Sequence, residues 1–354
     1  MRSAIRRRSH ARRRHPTTMA PQLRLLTFRP ILVPKPWGGR ALARFGKDLP
    51  RDVLVGESWE LADLPDGTAV DATETHSHVV GGPHDGWTLS HLISTYGTRF
   101  LGSAPPTPEG YFPLLLKLLD ADENLSVQVH PDEAYVAEHP ATWLKTESWY
   151  VLDARPGAVL YIGFRPGVTF GDVESAVGTR ALVEFLQPFD ARPGDFHHLP
   201  AGTVHALGAG VVVAETQTPS DTTFRMYDWT EEYSRAPRTL HVTQALETLK
   251  LVAETDTFLP ASESEGTRLL ITTDHYWQRE HQSDGDTIEL HPVHELRVLM
   301  VTNGTIHTRV GQAETETYPV GSTILIPASV VGKTTVKAGS STVVLEIGLV
   351  DAPR

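Results

Sequence analysis

The sequence predicts a mainly β protein built from two related β-barrels, with a few helices packed around the first. Three observations lead there. Pro (26) and Gly (28) are both plentiful in the 354 residues, as many short strands joined by tight turns require. Short apolar or alternating runs fill the middle and the C-terminal part of the chain, with few long helical periods. Finally, Pro193–His205 is echoed by Val320–Gly332, each reading as strand, Pro-Ala turn, strand. That is a weak internal repeat of one β unit. The first copy ends on His205 and the second on Gly332, so the second barrel is expected to lack whatever chemistry the histidine brings.

The elements follow in order. From about Leu23 to Val70 short apolar runs are broken by Pro and Gly, and Pro34-Lys35-Pro36-Trp37-Gly38-Gly39 reads as a loop. Gly56–Leu61 reads as the entry to a strand. Leu89–Tyr96 has a helical period with Thr88 or Ser90 as cap. Pro113–Leu119 is apolar except for Lys117, and Leu125–His130 alternates strictly. Pro131–His139 reads as a short helix or turn. Trp149–Leu152, Val159–Phe164, Phe196–Leu199 and Val211–Thr218 read as strands. Phe170–Leu186 and Val242–Leu251 have helical spacing. Strand signals return at Leu269–Thr272, Glu295–Val301, Thr305–Val310, Ser322–Ile326, Thr334–Val336 and Thr342–Leu345.

Composition narrows the chemistry. There is no cysteine, so any metal must be held by nitrogen and oxygen. No apolar run approaches the roughly 18 residues a membrane span needs, and the cytoplasm is the expected compartment. Residues 1–18 hold seven arginines and no acid; removing those charges takes the formal net charge of the rest from −11 to −18. An acidic body argues against nucleic acid as the main partner. The Arg-rich start lacks the apolar side chains a core needs. It is read as a disordered tail outside the fold, with Met19 as the working start.

Three segments carry the candidate chemistry. In Leu125-Ser126-Val127-Gln128-Val129-His130 the strand period puts Ser126, Gln128 and His130 on one face. A solvent-facing sheet would explain that hexapeptide equally well. Lys145 and Glu147 share a face by the same period, and alone would suggest a surface ion pair. Pro200-Ala201-Gly202-Thr203-Val204-His205 places a histidine just after a turn, at the start of a strand.

Together the three are far more specific. Gln-x-His, a Glu seventeen residues after that His, and Pro-Ala-Gly-Thr-x-His follow the two-part cupin metal pattern, with its first His-x-His replaced by Gln-x-His. On these residues, and on Pro113–Asp120 and Ser220–Arg225, the chain resembles the type I mannose-6-phosphate isomerases, in particular their shorter bacterial branch. The likeness runs over roughly residues 23–250 and more weakly beyond. It implies two cupin-type barrels (jelly rolls) and one zinc ion per chain on Gln128, His130, Glu147 and His205. It further implies interconversion of mannose 6-phosphate and fructose 6-phosphate. Two neutral imidazoles, one amide and one carboxylate would leave a divalent site with net charge +1, and so an electrophilic one. Proton transfer between C1 and C2 through a cis-enediol builds negative charge on two substrate oxygens, which such a site stabilises.

The same resemblance implies roles for the residues around the metal. Ser126 and Lys145 match residues that contact the substrate phosphate or sit beside it. Asp221 and Arg225 match the segment that carries the catalytic arginine. Lys117, a charge in an apolar strand, calls for a partner or a substrate anion; it is taken as a further catalytic and substrate-binding candidate, against a lysine snorkelling from an edge strand. Two positions depart from the family. Leu144 stands where many members have a histidine, and a family lysine six residues after the arginine falls on Glu231. The expected division is a tail at 1–18, a metal-binding domain with helical segments at 19–255 and a metal-free barrel at 256–354. The substrate is a small sugar phosphate. The competing readings are a non-catalytic sugar-phosphate-binding cupin and an iron-dependent cupin oxygenase. Lys145, Asp221 and Arg225 beside a full ligand set disfavour the first. Oxygenase sites commonly use more imidazole, which disfavours the second.

Overall fold

The computed structural model describes residues 20–69, 72–251, 257–292 and 294–350. The Arg-rich tail lies outside them. Four antiparallel sheets make up two barrels. In the first, a seven-stranded sheet runs in the order Thr257–Leu259, Phe196–Leu199, Glu147–Ala154, Val211–Gln217, Leu115–Ala121, Ile31–Gly39 and Val55–Leu61. It faces a five-stranded sheet ordered Phe224–Tyr227, Val127–Val129, His205–Leu207, Val159–Phe164 and Leu186–Asp190. The second barrel pairs a six-stranded with a four-stranded sheet. Two short strands cross the expected division near residue 255. Leu26–Thr27 joins the second barrel through Leu325 and Ile324, and Thr257–Leu259 joins the first through Phe196–His198.

The strands that read as wholly apolar are buried on both faces. Leu115 and Leu119 point into the first barrel or its flank, whereas Leu116 and Leu118 belong to a continuous core with Val298, Ile324 and Ile347 of the second. A sheet covered on both sides leaves no reason for polar alternation. The helix Leu89–Tyr96 forms as expected, with the Thr88 hydroxyl accepting from the His91 amide at 3.2 Å. Pro131–His139 resolves into the helix Glu133–Glu138, capped by Asp132.

Several readings are corrected. Pro34–Gly39 belongs to the strand Ile31–Gly39, whose register against Val55–Leu61 shifts on both sides of Pro34. A bulge is where a sheet tolerates proline. Phe170–Leu186 is not one helix: Phe170–Ala176 ends before Gly178, at φ +82°, and a 3₁₀ segment follows at Arg180–Phe185. In the second copy of the repeat the residues after Pro327 form a helical turn, Ala328–Val331, and the next strand begins at Thr334.

Candidate metal centre and substrate cavity

The site sits where the two sheets of the first barrel face each other. His205 is the direct ladder partner of Gln128, and Arg225 pairs with Gln128 from the other side. Cross-strand partners share a face, so one row of the five-stranded sheet carries all three. Glu147 opens an interior strand of the opposite sheet, beside its central strand Val211–Gln217. His130 follows Val127–Val129.

Among the described residues, His130, Glu147 and His205 form a group able to share a cation, each offering a ligand atom within 4.8 Å of the others. All three are buried. His205 Nε2 lies 3.1 Å from one carboxylate oxygen of Glu147 and His130 Nε2 3.5 Å from the other. Each ring turns Nδ1 to a backbone carbonyl at 2.9 Å, His130 to Thr222 and His205 to Thr203. These bonds hold the proton on Nδ1 and leave both Nε2 lone pairs aimed at the centre, the arrangement that metal-binding imidazoles use. The carboxylate oxygens of Glu147 are sealed from solvent without a hydrogen bond of good geometry. An electron-rich pair buried that way fits a cation.

The electrostatics agree. Burial alone would raise the Glu147 pKa, but Lys145, His130 and His205 outweigh it and hold the carboxyl well below its usual range. Burial and the Lys145 ammonium push His130 well down, so it is neutral and free to donate a lone pair. Gln128 stands beside this group, with its amide nitrogen 3.3 Å from His205 Nε2 and its oxygen accepting from the Ser126 hydroxyl at 3.1 Å. The two amide ends are related by a half-turn of the group. Turned over, Oε1 faces the centre and the NH₂ donates to Ser126.

A cavity opens beside this group, lined by Ser126, Gln128, Lys145, Asp221 and Arg225 among others. Lys145 Nζ is 2.9 Å from Glu147. Lys117 is on an interior strand, not an edge. It sits between Glu57 at 3.6 Å and Glu215 at 3.4 Å, with its ammonium 5.3 Å from the centre of the Trp59 ring. The snorkelling alternative therefore fails, and the partners that burial demands are present. Glu57 and Glu215 outweigh the burial that would lower the Lys117 pKa, and raise it. Burial alone would raise Glu57, yet Lys35 and Lys117 hold its pKa at about 2. Glu215 goes the other way, raised by burial and by the Glu147 carboxylate against the pull of Lys117.

Sequence reasoning missed Lys35 and Arg238, which line the cavity; Trp37, Glu57 and Glu215, which the sequence leaves open between pocket and core and to which it assigns no role, line it too. Arg238 is oriented by a two-point ion pair with Asp228, one contact being Nε to Oδ2 at 2.8 Å. It borders the cavity, whereas Glu231, the position matching the family lysine, is exposed. The signal was out of reach because a loop and the short helix Thr230–Tyr233 separate Arg238 from Arg225. Leu144 turns away into a wider, mostly apolar groove beside Tyr111 and Trp143, which carries none of the converging ligands. Neither His197 nor His198 lines the cavity.

Comparison with known proteins agrees with this architecture. Residues 25–156 match the family model "Phosphomannose isomerase type I, catalytic domain". Mannose-6-phosphate isomerase ManA of Bacillus subtilis (strain 168) is 37% identical over 229 residues, covering 64% of this chain and 68% of the relative. The crystal structure of a mannose 6-phosphate isomerase from Bacillus subtilis superposes with a TM-score of 0.77 at 26% identity, over 91% of this chain and 99% of the other. A mannose 6-phosphate isomerase bound with zinc and yttrium shares the fold, with a TM-score of 0.70 at 17% identity, over 92% of this chain and 99% of the other. The chain belongs to the type I phosphomannose isomerase family.

Proposed function

We propose that this protein interconverts D-mannose 6-phosphate and D-fructose 6-phosphate, using one zinc ion held by Gln128, His130, Glu147 and His205. The observation that supports this most is a buried His-Glu-His group that adjoins, through Gln128 and Lys145, a cavity lined by further cationic side chains. A zinc ion there would supply Lewis acidity toward the substrate oxygens without a redox change.

The rest falls to the chain's own residues. Lys145 and Ser126 border the ligands and hold the sugar phosphate. Lys35 and Arg238 add cations at the wall. An arginine fork suits a phosphate dianion, and Asp228 holds that of Arg238 in orientation. Arg225 faces the developing negative charge of the enediolate, with Asp221 from the same segment taking part in orientation and proton transfer. Lys117 keeps Glu57 and Glu215 in place beneath the substrate and contributes positive charge to the floor.

The test is metal content together with turnover. Protein stripped with a chelator should isomerise mannose 6-phosphate only after zinc is restored. His205→Ala should lose the ion, since it removes one of four ligands. Full occupancy in that variant by elemental analysis would refute the ligand assignment.

A further inference from the structure

The second barrel touches the metal-site strands from behind. Tyr276 begins the strand Tyr276–Ser283 of that barrel and is fully buried. Its hydroxyl lies 2.7 Å from Ser148 Oγ and 3.3 Å from the Thr216 carbonyl of the first barrel. Ser148 Oγ in turn lies 3.0 Å from His198 Nδ1. These three residues of the first barrel occupy one row across neighbouring strands: Ser148 pairs with Thr216 on one side and His198 on the other.

Ser148 immediately follows Glu147, and Thr216 precedes Gln217, the ladder partner of Glu147. Side chains alternate along a strand, so Glu147 faces His130 and His205 while Ser148 faces the second barrel. A single direction of donation satisfies every contact: His198 Nδ1–H to Ser148, Ser148 O–H to Tyr276, Tyr276 O–H to the Thr216 carbonyl. His198 is buried, and its Nδ1 is the ring nitrogen turned to Ser148. The carboxylate of Glu147 meets Lys145 Nζ at 2.9 Å and His205 Nε2 at 3.1 Å. Those contacts hold the tip of the side chain, while the backbone that carries it is adjoined at Ser148 by this hydrogen-bonded row.

We infer that Tyr276 is a positioning residue for the metal site: through Ser148 and His198, the second barrel fixes the strand that presents Glu147. The inference rests on the reading of Gln128, His130, Glu147 and His205 as the ligands. Metal-site geometry tolerates displacements of only about 0.5 Å, and outer partners commonly alter metal affinity 10–100-fold.

Tyr276→Phe keeps the ring in the core and removes only the hydroxyl. Its zinc dissociation constant, measured by competition with a chelator, should rise about 10-fold, and the visible absorption of the cobalt(II)-loaded protein should shift. Ser148→Ala interrupts the same chain and should weaken zinc binding to a similar degree. The double variant should bind no more weakly than the weaker single one, because the two act as one unit. Wild-type affinity and an unchanged cobalt spectrum in both single variants, with only the metal-free melting temperature lowered, would overturn the inference and leave Tyr276 as packing. Additive losses in the double variant would overturn the chain as the route. If His205→Ala loses the ion while Tyr276→Phe binds like wild type, this inference alone falls. If wild-type protein binds no metal, or His205→Ala retains it, the site reading falls and takes this one with it.

Discussion

Arg225 is held in two ways at once. Its backbone lies opposite Gln128 in the ladder, and its Nη1 donates to the Thr239 carbonyl at 2.8 Å. The second tie costs about 1 kcal/mol to lose, small beside its expected effect on chemistry. Removing a preorganised donor to developing charge typically costs roughly 100–1,000-fold in rate. Arg225→Ala should therefore lose that much turnover with mannose 6-phosphate while keeping its metal and unfolding near the wild-type temperature. Arg225→Lys should not restore full activity, since an ammonium lacks the planar fork. Wild-type turnover in Arg225→Ala would remove it from the mechanism. His197 poses a different question. It is buried with both ring nitrogens unpartnered among the described residues, stacked on Phe258 at 4.8 Å, and burial drops its pKa to about 4. Above pH 6.5 both folded and unfolded chains carry the ring neutral, so it contributes no pH dependence. As pH falls from there toward 4, the unfolded chain takes up a proton that the folded one refuses. Stability then drops by roughly 1.4 kcal/mol per pH unit for this group. His197→Phe should flatten that part of the melting-temperature profile between pH 6.5 and 4. An unchanged acid limb would show that His197 is not its source.

At the scale of elements, the bulged strand Ile31–Gly39 places Trp37 and Lys35 at the cavity while crossing close over its neighbour. A Cβ on Gly38 would meet the Gly56 nitrogen at 2.4 Å and the Val55 carbonyl carbon at 2.6 Å, backbone atoms that cannot swing aside. Gly38→Ala should therefore cost about 1–3 kcal/mol in urea unfolding. It should also raise the KM for mannose 6-phosphate by shifting the Trp37 wall; a neutral result in both would refute the close approach. This strand was illegible in the sequence because Pro34, Pro36, Gly38 and Gly39 all signal a break, and only sheet pairing turns them into a bulge. Tyr276–Ser283 was missed for the opposite reason. Its Gln278, Glu280 and His281 look like solvent-facing residues, yet all three are buried, Glu280 beside Arg268 and His281 beside Glu346. Leu125–His130, by contrast, was legible because its alternation is a local property that the barrel only had to use.

On the scale of the whole molecule, the two barrels share one apolar core, so the second is not an appendage. Its interior holds a carboxylate too, but one already neutralised: Glu346 meets Arg297 Nη1 at 2.9 Å and His281 Nε2 at 2.9 Å, all three buried. A built-in guanidinium does there what an ion would do between His130, Glu147 and His205. Fully loaded protein should therefore contain one metal per chain, and His205→Ala should contain none. A second stoichiometric ion that survives His205→Ala and is lost on changing residues of the second barrel would refute this.

Spacing along single strands and turns determined, from the sequence alone, the β character and the repeat, and the family resemblance carried by those motifs implied the candidate ligands Gln128, His130, Glu147 and His205. Those signals are local, because a strand's period and a turn's breakers act over a few residues. Tertiary structure alone decided which further groups share the cavity. Arg238 reaches it across a loop, Lys35 from a bulge, and Glu57 and Glu215 by flanking Lys117 on neighbouring strands. It alone also brought Tyr276 to the back of Ser148, a contact across 128 residues of chain. Such placements follow from how sheets pair and pack, and burial then imposes the pairing of charges that no single segment could announce.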